Sequence, residues 1–147
     1  MNAMKPSLLS RLSTKSPWLY RINAGSCNGC DVELATTAII PRYDVERLGC
    51  QYCGSPKHAD IVLITGPLTA RIKDKVLRLY EEIPDPKVTV AVGTCPISGG
   101  VFRESYAIAG PLDQYIPIDI NVPGCPPRPQ AIIEGIAKAI AVWQSRI

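Results

Sequence analysis

At 147 residues, 46% of them hydrophobic and 20% charged, the chain has the size and composition of a single folded domain, which excludes a disordered segment. No uncharged apolar run reaches the ~18 residues that a membrane-spanning helix needs; the longest, residues 88–102, is broken by Gly93, Pro96, Gly99 and Gly100. The net charge of +3 gathers early, because Lys5, Arg11, Lys15 and Arg21 all precede the first acidic residue, Asp31.

Residues 1–17 are expected to be a basic N-terminal arm or short helix, and residues 18–147 one α/β domain. Four early charges are too few to choose among nucleic acid, lipid headgroups and an acidic partner. Leu8, Leu9 and Leu12 are interspersed with Ser and Arg and make no continuous apolar stretch, so no export signal is expected and the cytoplasm is the default location. In that compartment the six cysteines are expected to be metal ligands or redox groups rather than disulfides.

In chain order, Trp18–Asn23 reads as a strand and Gly29–Ile40 as a helix rich in Ala, Leu and Ile. Residues 59–65 (ADIVLIT) are almost continuously apolar, as in a strand buried on both faces. From Thr69 to Glu82, Ile72, Val76 and Leu79 recur at helical spacing opposite charged residues, with Ile83 just beyond. Lys87–Val92 is a β-branched strand, Ile116–Val122 a fourth strand, and Gln130–Trp143 a closing helix. Strands that alternate with helices imply a mostly parallel, flavodoxin-like sheet flanked by helices, with functional loops at the carboxyl ends of the strands.

The cysteines group in two ways. Cys27, Cys30, Cys50 and Cys53 spell C-x2-C-x19-C-x2-C, the spacing of a zinc-ribbon interaction module. That grouping leaves Cys95 and Cys125 unused and lays a ribbon across a helical segment. Cys27 and Cys30 instead follow the first predicted strand, Cys95 the third and Cys125 the fourth, separated by 2, 64 and 29 residues. Ligands drawn from several loops at one sheet edge suit a cubane cluster held by four thiolates. Gly25, Gly29, Gly93, Gly99, Gly100 and Gly124 beside them permit close backbone approach. This second grouping is the favoured one.

Five blocks occur in order: residues 26–33 (SCNGCDVE), 41–47 (PRYDVER), 55–60 (SPKHAD), 93–100 (GTCPISGG) and 124–129 (GCPPRP). Together they resemble the small subunit of energy-converting, membrane-bound [NiFe] hydrogenases, a family related to the 20 kDa iron–sulfur subunit of respiratory complex I. The resemblance implies one proximal [4Fe–4S] cluster on Cys27, Cys30, Cys95 and Cys125. It would exchange electrons with a large catalytic subunit, and a further iron–sulfur subunit and membrane subunits would complete the complex. The chain itself would be peripheral on the cytoplasmic face, with no nucleic acid expected. Complex I relatives usually carry adjacent cysteines in the first block, so the separated Cys27 and Cys30 favour the hydrogenase side over a quinone-reducing subunit.

Cys50 and Cys53 depart from the resemblance, which leads one to expect apolar residues there. They read as buried thiols, with a reversible disulfide or second metal contact as the alternatives. Gln130 stands where the family commonly has Glu. Glu33, one helical turn beyond Cys30, is a candidate proton relay or a partner-facing charge. His58, the only histidine, reads as a packed residue before a strand, although a proton role stays open. Arg42, Arg47 and Arg128 read as interface or solvated charges, and Gly66-Pro67 as a loop. With no phosphate-binding glycine loop and one histidine, the chain is not expected to be a self-sufficient hydrolase.

Overall fold

The computed structural model describes residues 16–147, so the basic arm expected over residues 1–17 lies almost wholly outside the described residues. The elements run β1 (Trp18–Asn23), α1 (Gly29–Ile39), β2 (Gln51–Tyr52), β3 (Ile61–Thr65), β4 (Leu68–Thr69) and α2 (Lys73–Glu81). They continue with β5 (Val88–Val92), α3 (Thr94–Ser98), β6 (Ile108–Gly110), β7 (Ile120–Val122) and α4 (Pro129–Arg146).

The strands β3 and β5 consist almost entirely of β-branched and aliphatic residues and are buried at every position, as central strands covered on both faces must be. All four pairings of the main sheet are parallel, in the order β2-β1-β3-β5-β7. This is the doubly wound order of flavodoxin-like sheets, with its direction of winding reversed between β1 and β3. Leu19 lies opposite Ile61, Ile61 opposite Val88 and Val90 opposite Ile120.

Side chains that alternate along the strands feed two cores. On one face α1 and α4 bring Leu34, Ile132, Ile136, Ala139 and Trp143 over Leu19, Leu63 and Val90. On the other, Val76 of α2 joins Ile83, Leu112 and Ile116 over Ile22, Val62 and Ile64. Burial of each such side chain contributes about 1.5–3 kcal/mol. Arg146 ties the end of α4 down: it donates to the Lys87 carbonyl at 2.6 Å and to Asp119, whose carboxylate also accepts the Thr89 N–H at 2.8 Å.

Three expectations shift. The second helix starts at Lys73 rather than Thr69, because Leu68 and Thr69 pair antiparallel with β6 in a separate two-stranded ribbon. Only Ile120–Val122 of the last predicted strand joins the ladder; Pro117 has no N–H to donate, and Ile116 turns into the α2-side core. Strand β2 escapes periodicity, being two residues long.

Candidate metal centre

The loop after β1 carries two of the six cysteines, and its shape is set by Asn23. The Asn23 carboxamide oxygen accepts the backbone N–H groups of Gly25 (2.9 Å) and Ser26 (2.8 Å), and the Ser26 hydroxyl accepts that of Asn28 at 3.0 Å. Asn28 sits in the left-handed region at φ 68°, a conformation that Asn tolerates, and α1 begins at the next residue. Cys27 is thus left exposed on the loop, while Cys30 is buried in the first turn of α1.

Two more loops meet it. The chain leaves β5 through Gly93 and enters α3, whose second residue is Cys95; it leaves β7 through Pro123 and Gly124 to reach Cys125. Thr94 joins these loops: its N–H and its hydroxyl both donate to the Gly124 carbonyl, at 2.8 and 3.1 Å, and Gly93 N–H donates to the Val122 carbonyl at 2.8 Å. Cys95 and Cys125 each follow one of these bonded partners directly. The loop after β7 also packs on the loop after β1, since a side chain at Gly29 would meet both Cys27 Sγ (3.6 Å) and Pro126 (3.8 Å).

Gly93 is the close point of the cradle. A Cβ there would lie 2.6 Å from Cys30 Sγ, and the backbone is at φ 97°. Gly100 bears similarly on Cys95, since a Cβ added to it would lie 3.2 Å from the Cys95 Sγ. Burial, then the charges on Cys95, Cys27, Asp31 and Cys125, push the Cys30 thiol up to about 11. Burial, then Cys125 and Cys27, push Cys95 up as well. Thiols that oppose one another's ionisation in this way release their protons together when a cationic metal core supplies the compensating charge.

Among the described residues no three Cys, His, Asp or Glu side chains stand close enough to hold a single metal ion. Four thiols on loops around one sheet edge suit a multinuclear cluster that offers a separate iron to each. The donor set, the spacing and the glycine-lined approach all fit such a group.

Cys50 and Cys53 are placed elsewhere. Gln51 is level with Trp18, so Cys50 lies at the amino end of the sheet, and β1 puts roughly 17 Å of strand between the two edges at ~3.3 Å per residue. The two thiols also point to opposite faces: Cys50 joins the core under α1 and α4, and Cys53 packs against the α2-side core. Each donates to a backbone carbonyl, Cys50 to Val45 (3.3 Å) and Cys53 to Ser55 (3.4 Å). This placement in two different cores agrees with separately packed thiols and speaks against the zinc-ribbon grouping, a mutual disulfide and a shared metal contact. Burial raises both, Cys50 to about 11.

Glu33 is half-buried on α1 and makes no hydrogen bond or ion pair among the described residues. His58 is exposed and precedes β3, at the edge opposite the four cysteines. The Arg42 guanidinium lies 5.9 Å from the Tyr43 ring centre, and Gln130 donates to the Tyr43 hydroxyl at 3.3 Å, so the second block meets the start of α4. Arg47 and Arg128 are exposed. Pattern reading missed Asp31 and Thr94, whose partners are scattered along the chain.

Residues 27–139 match the family described as the NADH ubiquinone oxidoreductase 20 kDa subunit. Over 90% of its length the chain is 51% identical to the probable membrane-bound hydrogenase subunit mbhJ of Pyrococcus furiosus, covering 78% of that protein. It is 40% identical to formate hydrogenlyase subunit 7 of Escherichia coli over 99% of its own length, but spans only 56% of that relative. Among solved structures, a chain of the membrane-bound sulfane sulfur reductase, an archaeal respiratory membrane complex, superimposes with a TM-score of 0.79 at 37% identity, over 94% of this chain and 76% of the other.

Proposed function

This chain belongs to the NADH ubiquinone oxidoreductase 20 kDa subunit family, and from that premise we propose that it is the electron-transfer subunit of a membrane-attached hydrogenase complex. Cys27, Cys30, Cys95 and Cys125 would hold one [4Fe–4S] cluster, which when bound supplies a one-electron store next to the active site of a large partner subunit. The observation that carries the reading is the convergence of the loops after β1, β5 and β7, each bearing its cysteines, on one edge of the sheet.

The chain's residues divide the work at that edge. Asn23 and Thr94 hold the ligand loops in register, and Gly93 lets the backbone close over Cys30. Cys27 and Cys125 stay open on the outer side, toward a partner. Val101 (87% exposed), Phe102 (45%) and Tyr106 (100%), between α3 and β6, add apolar surface beside Cys95, and Val32 (62%) adds more beside Cys30. The partner this surface suits is the large catalytic subunit, to which the half-buried Glu33, with no partner among the described residues, would pass protons. Among the described residues no helix is long and apolar enough to cross a membrane. Anchorage would then come from membrane subunits, with the chain peripheral on the cytoplasmic face and onward electron carriers on a further iron–sulfur subunit.

The separated Cys27 and Cys30 favour the hydrogenase form over the quinone-reducing one. Anaerobically purified complex is expected to be brown and to carry, on this subunit, iron and acid-labile sulfide at about four each. Stoichiometric zinc without iron would end the reading. Nickel in the large subunit is expected, and an active, nickel-free complex that reduces quinone would favour the complex I form. The cysteine edge should also be covered by an interface that buries well above ~2,000 Å² in total. A stable, cluster-loaded monomer in the ultracentrifuge would contradict this.

A further inference from the structure

Asp31 directly follows Cys30, is only 8% exposed, and receives hydrogen bonds and charge from three residues on two strands, β1 and β3. Arg21 Nη1 of β1 lies 2.9 Å from Oδ1, and Thr65 at the end of β3 donates its hydroxyl to the same oxygen at 2.8 Å. Asn23 donates its side-chain amide to Oδ2 at 3.1 Å. Every partner is a donor, so the carboxylate acts as an acceptor only. The Asn23 amide oxygen, held in place by that bond, is the group that collects the Gly25 and Ser26 N–H groups of the Cys27 loop. One carboxylate thus anchors the loop that bears Cys27 while standing covalently next to Cys30.

The ion pair is lopsided. The Asp31 side chain is 7% exposed and that of Arg21 is 47% exposed, so the positive end reaches solvent and is screened while the negative end is buried beside Cys30. A pair of this kind presents a net negative field to the thiolate edge. An apolar residue at position 31 would pack in the same space without that field, and a lone buried carboxylate would be costly without its arginine.

We propose that Asp31 and Arg21 are a positioning and tuning pair, which fixes the Cys27–Cys30 loop and holds down the reduction potential of the group bound there. The inference rests on the iron–sulfur reading above. Reduction adds negative charge at the site, so a fixed negative neighbour disfavours it and loss of that neighbour favours it. The same Asp31 charge contributes to the upward push on the Cys30 thiol.

The test is an EPR-monitored redox titration of the purified complex carrying Asp31→Asn, Arg21→Gln or Arg21→Lys. Asp31→Asn keeps the shape and removes the charge; the reduction equilibrium is expected to move at least tenfold toward the reduced form, ~59 mV for a one-electron couple. Arg21→Gln should move it the other way, and Arg21→Lys should restore the wild-type value. A merely structural role would shift or broaden the first two variants in the same sense. Same-sense shifts, or an unmoved potential in Asp31→Asn, would overturn the proposal. Should Asp31→Asn fail to retain the cluster, the half-exposed Arg21 variants decide: no downward shift in Arg21→Gln would overturn it. Absence of any iron–sulfur signal in the wild-type complex would instead remove the parent reading, and this one with it.

Discussion

Replacing Cys27, Cys30, Cys95 or Cys125 by Ala in the intact complex is expected to abolish or convert the EPR signal of the reduced cluster and to destroy electron transfer. Replacing Cys50 and Cys53 together is expected to leave that signal unchanged. A cubane loses a corner when one thiolate is removed, and its binding is coupled to the ordering of the loops that hold it. Removing Cys95 also leaves nothing for the Thr94–Gly124 clamp to present from the β5 side. Cys50 and Cys53 lie at the other end of the sheet, on opposite faces, and satisfy only the Val45 and Ser55 carbonyls. Their loss should appear as reduced thermal stability, larger for the buried Cys50. Loss of the signal in the Cys50/Cys53 double variant, with the Cys95 variant unaffected, would reverse the assignment.

That ordering depends on faces, which residue spacing does not encode. C-x2-C looks like a chelating pair because on a loop or helix two such thiols converge. Around the two-residue strand β2 the same spacing sends Cys50 to one core and Cys53 to the other. The spacing at Cys27 and Cys30 is the same, but there it spans a loop and the first turn of a helix, so both thiols stay at one edge. What distinguished the pairs in the sequence was their neighbours: β-strand residues Gln51 and Tyr52 in one case, Asn28 and Gly29 in the other.

Buried strands were legible for a simple reason: β3 and β5 have apolar or Thr side chains throughout, and no other element of this length tolerates that composition with such short boundaries. Strand β1 agrees with its expected bounds at both ends. Ribbon β4–β6 was illegible because Leu68 and Thr69 are paired by residues about forty positions later, and local periodicity hands Thr69 to the following helix. The cysteine edge could be read because glycines mark each ligand loop. Asp31 could not, since Arg21, Asn23 and Thr65 become its partners only when β1 and β3 lie side by side.

Gly66→Ala is expected to be the most damaging single substitution that touches no cysteine. Gly66 follows β3 directly, at the point where the sheet reverses its winding, and its backbone lies against the loop after β1. A Cβ there would fall 2.2 Å from Ser26 N, 2.4 Å from Ser26 Cα and 2.8 Å from the Gly25 carbonyl carbon. All three are backbone atoms, so no side-chain rotation relieves the clash, and the φ of 81° is itself unfavourable for Ala. The left-handed backbone costs about 1–2 kcal/mol and overpacking about 1–3 kcal/mol. Their sum, roughly 2–5 kcal/mol, is a large part of the ~5–15 kcal/mol that holds a domain together. The displacement it forces is at Ser26, adjacent to Cys27, so stability and cluster retention should fall together. Gly54→Ala is the control, because a Cβ there has nothing within 4 Å. Thermal unfolding and iron content of the two purified complexes check the argument: a Gly66→Ala complex with the iron content and unfolding temperature of the Gly54→Ala complex would show that the two loops are free to separate.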